Sequence, residues 1–241
     1  MSVQHTLVKT ADSDATEAVR RSSVFVYEAP VRAWHWINAA LILVLIVSGY
    51  LIASPLPTLS GEASDHYQMG YIRFAHFAAA QLFIVAFVYR VYRGIVGNEH
   101  ARQLFYVPFW RPRYWYEALY ELSWYLFIVK NPKKYVGHNP LANLAMVVLF
   151  TLLTLFMIAT GGALYAQGAG LDSWWTKLFG WVFLIWPNSQ QVHTLHHLGM
   201  WLMVIFVILH VYAAIREDIM SRQTMLSAII TGDRYFRDDD P

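Results

Sequence analysis

The sequence predicts an all-α integral membrane protein: a bundle of four transmembrane helices with one further helix lying in the membrane interface. Three observations predict it. Of 241 residues, 57% are hydrophobic and only 14% charged, at a mean hydropathy of +0.35, whereas a soluble domain carries about a quarter charged and just under half apolar residues. Long stretches carry no charge at all: between Arg32 and Glu62, between Lys134 and Asp172, and between Lys177 and Arg216. The basic residues are also sorted. Four occur up to Arg32, eight from Arg90 to Lys134 and four from Arg216 onward, which leaves only Arg73 and Lys177 elsewhere.

The elements follow in order. Residues 1–23 are polar and mixed in charge, without an apolar core or a small-residue cleavage site, so they read as a flexible tail and not as a signal peptide. A single membrane domain is expected over 24–233. Its first span, 36–53 (WINAALILVLIVSGYLIA), is apolar enough and about long enough to cross a bilayer core. The second, 74–92, carries Arg90 near its end, where the guanidinium can snorkel to the headgroups. In the loop 93–139, PRYWYEALYELSWYLFIVK sets aromatic and aliphatic residues at helical spacing beside charged ones, the pattern of an interfacial helix. The third span is 141–165. After it, LDSWWTKLFGWVFLIWP brings four Trp together, either as an interfacial anchor or as a docking surface for an external partner. Pro187, Asn188 and Ser189 break the chain before the fourth span, 193–215, and 234–241 form a second tail. By the positive-inside rule both termini and the middle loop are cytoplasmic. A net charge of +2 sorted in this way points to membrane topology and not to nucleic acid.

With no cysteine in the chain, disulfides, thiolate zinc sites, cysteine-held iron–sulfur clusters and covalently attached haem are excluded. Any metal must be held mainly by histidine, of which there are ten. His5 lies in the tail, and His66 and His100 sit among polar loop residues, where a surface role is expected. Histidines inside spans are functional candidates by default, because ionisable groups there are costly.

The fourth span carries His196 and His210, fourteen residues apart. On an α-helix that separation returns to within about 40° of the same face and sets the rings about 21 Å apart. His193 and His197 align with His210 less well. At the outer depth the matching histidine is His76 in RFAHF; at the cytoplasmic depth it is His35 in RAWHW. Two pairs result, His76/His196 and His35/His210. Two imidazoles on opposite sides of an iron porphyrin make a six-coordinate b haem suited to electron transfer. The competing explanation is four unrelated histidines at helix ends. Gly49, fourteen residues after His35, would let a porphyrin pass close to the first helix. Arg90, fourteen residues after His76, would pair with haem propionates, with Arg32, Arg73 and Arg216 as further candidates.

The segments YEAPVRAWHWINAALILVLIVSGY, GYIRFAHF, VGHNPLANLAM and HTLHHLGMWLMVIFVILHVYAAIRED resemble the b-type cytochrome subunit of membrane-bound nickel-iron uptake hydrogenases, over nearly all of 24–233. The resemblance carries the family's axial ligands onto His35, His76, His196 and His210. It implies two b haems in a subunit of the bacterial cytoplasmic membrane that anchors a periplasmic two-subunit hydrogenase. Electrons would leave the iron–sulfur chain of the small subunit, pass the outer haem (His76/His196) and the cytoplasmic haem (His35/His210), and reach a membrane quinone. Hydrogen chemistry would stay with the large nickel-iron subunit, so this chain is not itself the enzyme. By similarity to related quinone-reducing cytochromes, His138 and Asn139 are candidates for the quinone site, beside a helix-start role for Asn139 and a surface role for His138.

Three rivals remain at this point, one of them a purely structural anchor, which would tolerate loss of all four histidines without loss of electron transfer. The cytochrome b subunit of a formate dehydrogenase shares the two-haem, four-span layout, although GEASDHYQMGYIRFAHF is closer to the hydrogenase wording. A transporter using histidines as proton relays is the rival of another class; the spans lack its carboxylates, paired broken helices and internal repeat.

Overall fold

The computed structural model describes residues 4–6, 21–57, 60–62, 66–131, 133–220 and 224–237. Most of the tail expected over 1–23, and residues 238–241 of the second tail, lie outside the described residues. In chain order the elements are β1 (Gln4–Thr6), β2 (Arg21–Phe25), α1 (Ala29–Ala53), α2 (Gln68–Val96), α3 (Glu99–Arg102), α4 (Pro112–Tyr125) and α5 (Pro140–Ala145). A π-helical segment, Met146–Leu152, leads into α6 (Leu153–Ala169). Then come α7 (Trp174–Phe179), α8 (Val182–Ile185), α9 (Ser189–Met220), α10 (Met225–Thr231) and β3 (Asp233–Arg237).

Four helical stretches are long and apolar enough to cross a membrane: Ala29–Ala53, Gln68–Val96, Pro140–Ala169 and Ser189–Met220. They coincide with the four expected spans and extend beyond each, since aromatic and polar residues at the ends continue the helix past the apolar core. Only 17–22% of their most apolar windows is buried within the protein. Leu43, Phe74, Leu82, Val85 and Ile208 all point outward, as helices do when lipid covers the remaining face. The protein is a multi-pass membrane protein.

The described chain divides into two compact units. One comprises 36–91 and 146–207. Its tightest core is Ala163 of α6, Val182 of α8 and Val192 of α9, packed by Phe179, Phe183 and Trp186. The four-Trp segment thus forms two short helices on α6, and Gly162 permits the approach: a Cβ there would lie 2.6 Å from the Phe179 ring.

The other unit comprises the residues up to 35, 92–145 and 208 onward. It holds the interfacial helix, realised as α4. Tyr114, Ala118, Glu121 and Trp124 are its buried stripe, while Trp115, Tyr116 and Leu119 remain exposed, leaving apolar surface for the membrane interface. The Tyr114 hydroxyl lies 2.7 Å from Asn143 Oδ1 and 2.8 Å from the Pro140 carbonyl, which ties α4 to α5.

This unit also departs from expectation. Arg21–Phe25 and Asp233–Arg237, expected at the edges of tails, pair as antiparallel strands, with β1 on the far side of β2. The tail boundary at 234 is therefore too early. Arg234 is 1% exposed, donates to the Gly137 carbonyl at 2.9 Å and pairs with Glu217 at 3.3 Å. Gly232, at φ 98°, makes the turn between α10 and β3 in the left-handed region that suits glycine. His100, expected on the surface, is buried at 6% exposure. Asn98 caps α3 and donates to the Val26 carbonyl, so the short helix is drawn onto the Val26, Ala101 and Ala228 core.

Candidate functional site

The four span histidines assemble as the helical arithmetic requires. His76 of α2 and His196 of α9 face one another with ring centres 6.5 Å apart and planes at 79°. His35 of α1 and His210 of α9 do so at 6.2 Å and 49°. Each pair lies within one unit, and α9 contributes one member to each. Imidazoles on opposite sides of one metal ion, at metal–nitrogen bonds of about 2.0–2.1 Å, hold their ring centres about 6.4 Å apart. Both pairs have the spacing of axial ligands. Each place brings two imidazoles face to face, and two is the number of axial positions that a six-coordinate porphyrin iron has.

Around His76 and His196 the helices leave a cavity of about 830 Å³, lined largely by apolar side chains including Phe77, Tyr165, Met200 and Met203. It lies at the upper end of the ~300–1,000 Å³ range of cofactor sites. Its wall matches a flat apolar ring, and Arg73, also in the lining, offers a cation to a carboxylate.

The two histidines there are held in matching ways. Ser48 Oγ donates to the Val44 carbonyl one helical turn back, at 2.6 Å, and lies 2.9 Å from His76 Nδ1. Thr160 Oγ donates to the Phe156 carbonyl at 2.8 Å and lies 2.9 Å from His196 Nδ1. A glycine follows each hydroxyl residue. A Cβ at Gly49 would lie 3.3 Å from His76 Cε1, and one at Gly161 would lie 2.9 Å from His196 Cε1. Gly49 thus lies against the His76 ring. Ser48, Thr160 and Gly161 escaped sequence reasoning, although the hydroxyl-then-glycine dipeptide in two otherwise apolar spans was the available signal.

The arginines divide. Arg216 spends its guanidinium on α4, donating to the Trp124 and Tyr125 carbonyls at 2.7 Å each and stacking on the Trp124 and Phe127 rings. It closes the C-terminus of that helix, where four carbonyls lack helical partners, and Phe127 takes φ 63° beneath it. Arg32 donates to the Ile230 carbonyl. Arg90 is buried at 4% exposure in the unit that holds His76.

Of the two quinone candidates, Asn139 serves as the cap of α5. Its Oδ1 accepts from Ala142 N at 2.7 Å, its Nδ2 donates to Glu217 at 3.4 Å, and it is 1% exposed. His138 is half-buried, with Nδ1 3.2 Å from Gln103 Oε1 and its ring edge-on to Tyr27. His193 and His197 use their rings locally, on the Ser189 carbonyl and on Trp201 Nε1. His66 is exposed, against the Ser60 carbonyl.

The family model for prokaryotic cytochrome b561 matches residues 26–232. A protein of Rhizobium leguminosarum bv. viciae named probable Ni/Fe-hydrogenase B-type cytochrome subunit is 59% identical over 99% of both chains. A protein of the same name in Azotobacter vinelandii is 56% identical over 95% of each chain, and an Escherichia coli K12 relative, named a probable Ni/Fe-hydrogenase 1 B-type cytochrome subunit, is 46% identical over 88% of this chain and 91% of its own. The chain belongs to the prokaryotic cytochrome b561 family, in the group whose members are named Ni/Fe-hydrogenase B-type cytochrome subunits.

Proposed function

We propose that the chain is a di-haem b electron-transfer subunit that anchors a periplasmic nickel-iron hydrogenase in the bacterial cytoplasmic membrane, with both termini cytoplasmic. Electrons released by hydrogen oxidation in the large subunit would pass through the iron–sulfur small subunit to a haem that His76 and His196 would hold, then to one that His35 and His210 would hold, and finally to membrane quinone. The observation that carries this reading is the pair of histidine couples at 6.5 and 6.2 Å between ring centres. A b haem with two imidazole ligands supplies one-electron transfer and leaves no open position for substrate or oxygen.

The chain's own residues do the rest. The four histidines bind and orient, Arg73 offers a partner to a propionate, and the apolar wall of the cavity excludes water. With Asn139 engaged as a helix cap, His138 is the better candidate for a quinone contact. The names of the relatives favour hydrogenase over a formate-oxidising partner.

The test is a dithionite-reduced minus oxidised spectrum with a pyridine haemochrome count on the purified complex, wild type against His196→Ala. The expected result is two b haems per chain falling to one, with hydrogen-driven quinone reduction lost in the variant. Folded wild-type protein without haem, or with one, overturns the di-haem reading. Co-purification with a formate-oxidising enzyme in place of a hydrogenase overturns the partner.

A further inference from the structure

The hydroxyls of Ser48 and Thr160 are in an unusual position for groups within apolar helices. Each is short and internally committed, because its proton goes to the carbonyl four residues back, at 2.6 and 2.8 Å. What remains toward His76 Nδ1 and His196 Nδ1, at 2.9 Å in each case, is oxygen lone pair. The imidazole must therefore be the donor. A histidine that donates from Nδ1 carries its free lone pair on Nε2, the tautomer that binds a metal through the nitrogen facing away from the helix offering the hydroxyl. The glycine that follows each hydroxyl completes the arrangement by giving the same ring room on its Cε1 edge, at Gly49 and at Gly161. Two helices, α1 and α6, thus present the same dipeptide device, Ser48–Gly49 and Thr160–Gly161, to two ligands on two other helices.

We propose that these dipeptides are matching cradles that fix the tautomer and ring plane of His76 and His196, and that the two hydroxyls set the redox potential of the haem those histidines hold. The inference rests on the haem reading above. Its chemistry is one-electron and reversible: ferric haem plus one electron gives ferrous haem, with the Nδ1 proton staying on the imidazole in both states. Hydrogen bonding from Nδ1–H raises the basicity of the ligand, which favours the ferric state. Two acceptors together hold the potential of this haem below that of the same haem without them.

The experiment is redox titration and low-temperature electron paramagnetic resonance (EPR) of the purified complex carrying Ser48→Ala or Thr160→Val, with Ser48→Thr and Thr160→Ser as hydroxyl-retaining variants. In each hydroxyl-free variant the reduced-to-oxidised ratio of one haem, at fixed ambient potential, should rise about three- to tenfold, tenfold being about 59 mV for one electron. The other haem serves as internal control of folding and should not move. The hydroxyl-retaining variants should keep the wild-type potential. Gly161→Ala is expected to abolish or distort the same haem's signal, because a Cβ at 2.9 Å from His196 Cε1 meets a ring that coordination prevents from turning away; Gly49→Ala, at 3.3 Å, should change the signal less. Two haems with unmoved potentials and EPR signals in Ser48→Ala and Thr160→Val would overturn the cradle and leave the haem reading intact. Wild-type protein without haem would overturn both.

Discussion

The two histidine pairs have nearly the same separation and different surroundings. His76 and His196 sit at 79° to one another in an apolar cavity, each ring against a hydroxyl and a glycine. His35 and His210 sit at 49° in a unit whose interior is strongly polar, with Glu121, Glu217, Asn139, Arg216 and Arg234 all below 7% exposure. A facing histidine pair can therefore be built by two routes. One sets helices together with small residues and places a neutral hydroxyl against each ring. The other joins short helices, a sheet and a long interfacial helix through charged side chains. Electrostatic changes should act on the second unit and steric ones on the first.

The largest expected break in the comparison comes from Arg216. Its two hydrogen bonds to α4 carbonyls are charge-assisted, worth about 1.5–3 kcal/mol each when lost in a buried setting, and its stacking on Trp124 and Phe127 adds to them. Arg216→Ala should lower stability by about 3–6 kcal/mol. On the proposed di-haem reading, thermal unfolding followed at the two haem bands separately is the measurement, with the haem at His35 and His210 expected to go first. Simultaneous loss of both would show that the units do not respond independently.

A smaller effect is expected from Glu121. Burial pushes its carboxyl up to about 7; the Tyr135 hydroxyl and Lys133 work against the shift, and the carboxylates of Glu217 and Glu117 reinforce it. A carboxyl whose folded-state value is raised binds its proton more tightly in the folded protein than in the unfolded chain. Its contribution is complete below the ordinary value of about 4.5 and is lost as pH rises through about 7. Glu121→Gln should thus match wild type near pH 4.5 and exceed it near pH 8 by about 1–3 kcal/mol. Equal melting curves at pH 8 would mean that water or a cation already compensates the carboxylate.

These contrasts also mark what the sequence could tell. The spans were legible because lipid imposes a simple rule, uncharged stretches of about twenty residues with basic residues sorted by side. The two histidine pairs were legible because helical periodicity converts a fourteen-residue spacing into a shared face. Ser48 and Thr160 were not, since a hydroxyl bonded to its own helix leaves no trace in hydropathy. Nor was the polar interior of the second unit. Glu217 and Arg234 meet across a turn containing α10, and β2 finds β3 from the opposite end of the chain. Such pairings depend on tertiary contact between segments that each read as loop. His100 failed for the same reason: its neighbours in sequence are polar, and its burial comes from Val26 and Ala228 packing on Ala101.

The smallest effect separates two roles for one residue. Asn139 reads both as a quinone contact and as the cap of α5, and the geometry gives it the cap through Ala142 N at 2.7 Å. Serine is about as good a cap as asparagine, and loss of a cap to alanine costs about 1 kcal/mol. If capping is the whole of its role, Asn139→Ser should keep wild-type stability, Asn139→Ala should lose about 1 kcal/mol, and neither should change KM for quinone in hydrogen-driven reduction. A raised KM in both variants, with stability retained in the serine variant, would instead make the amide a quinone ligand. Because Asn139 is 1% exposed and also donates to Glu217, a quinone reaching it would have to displace that carboxylate. The same substitution then becomes sensitive to Glu217→Gln, and the double variant distinguishes a local cap from a shared site.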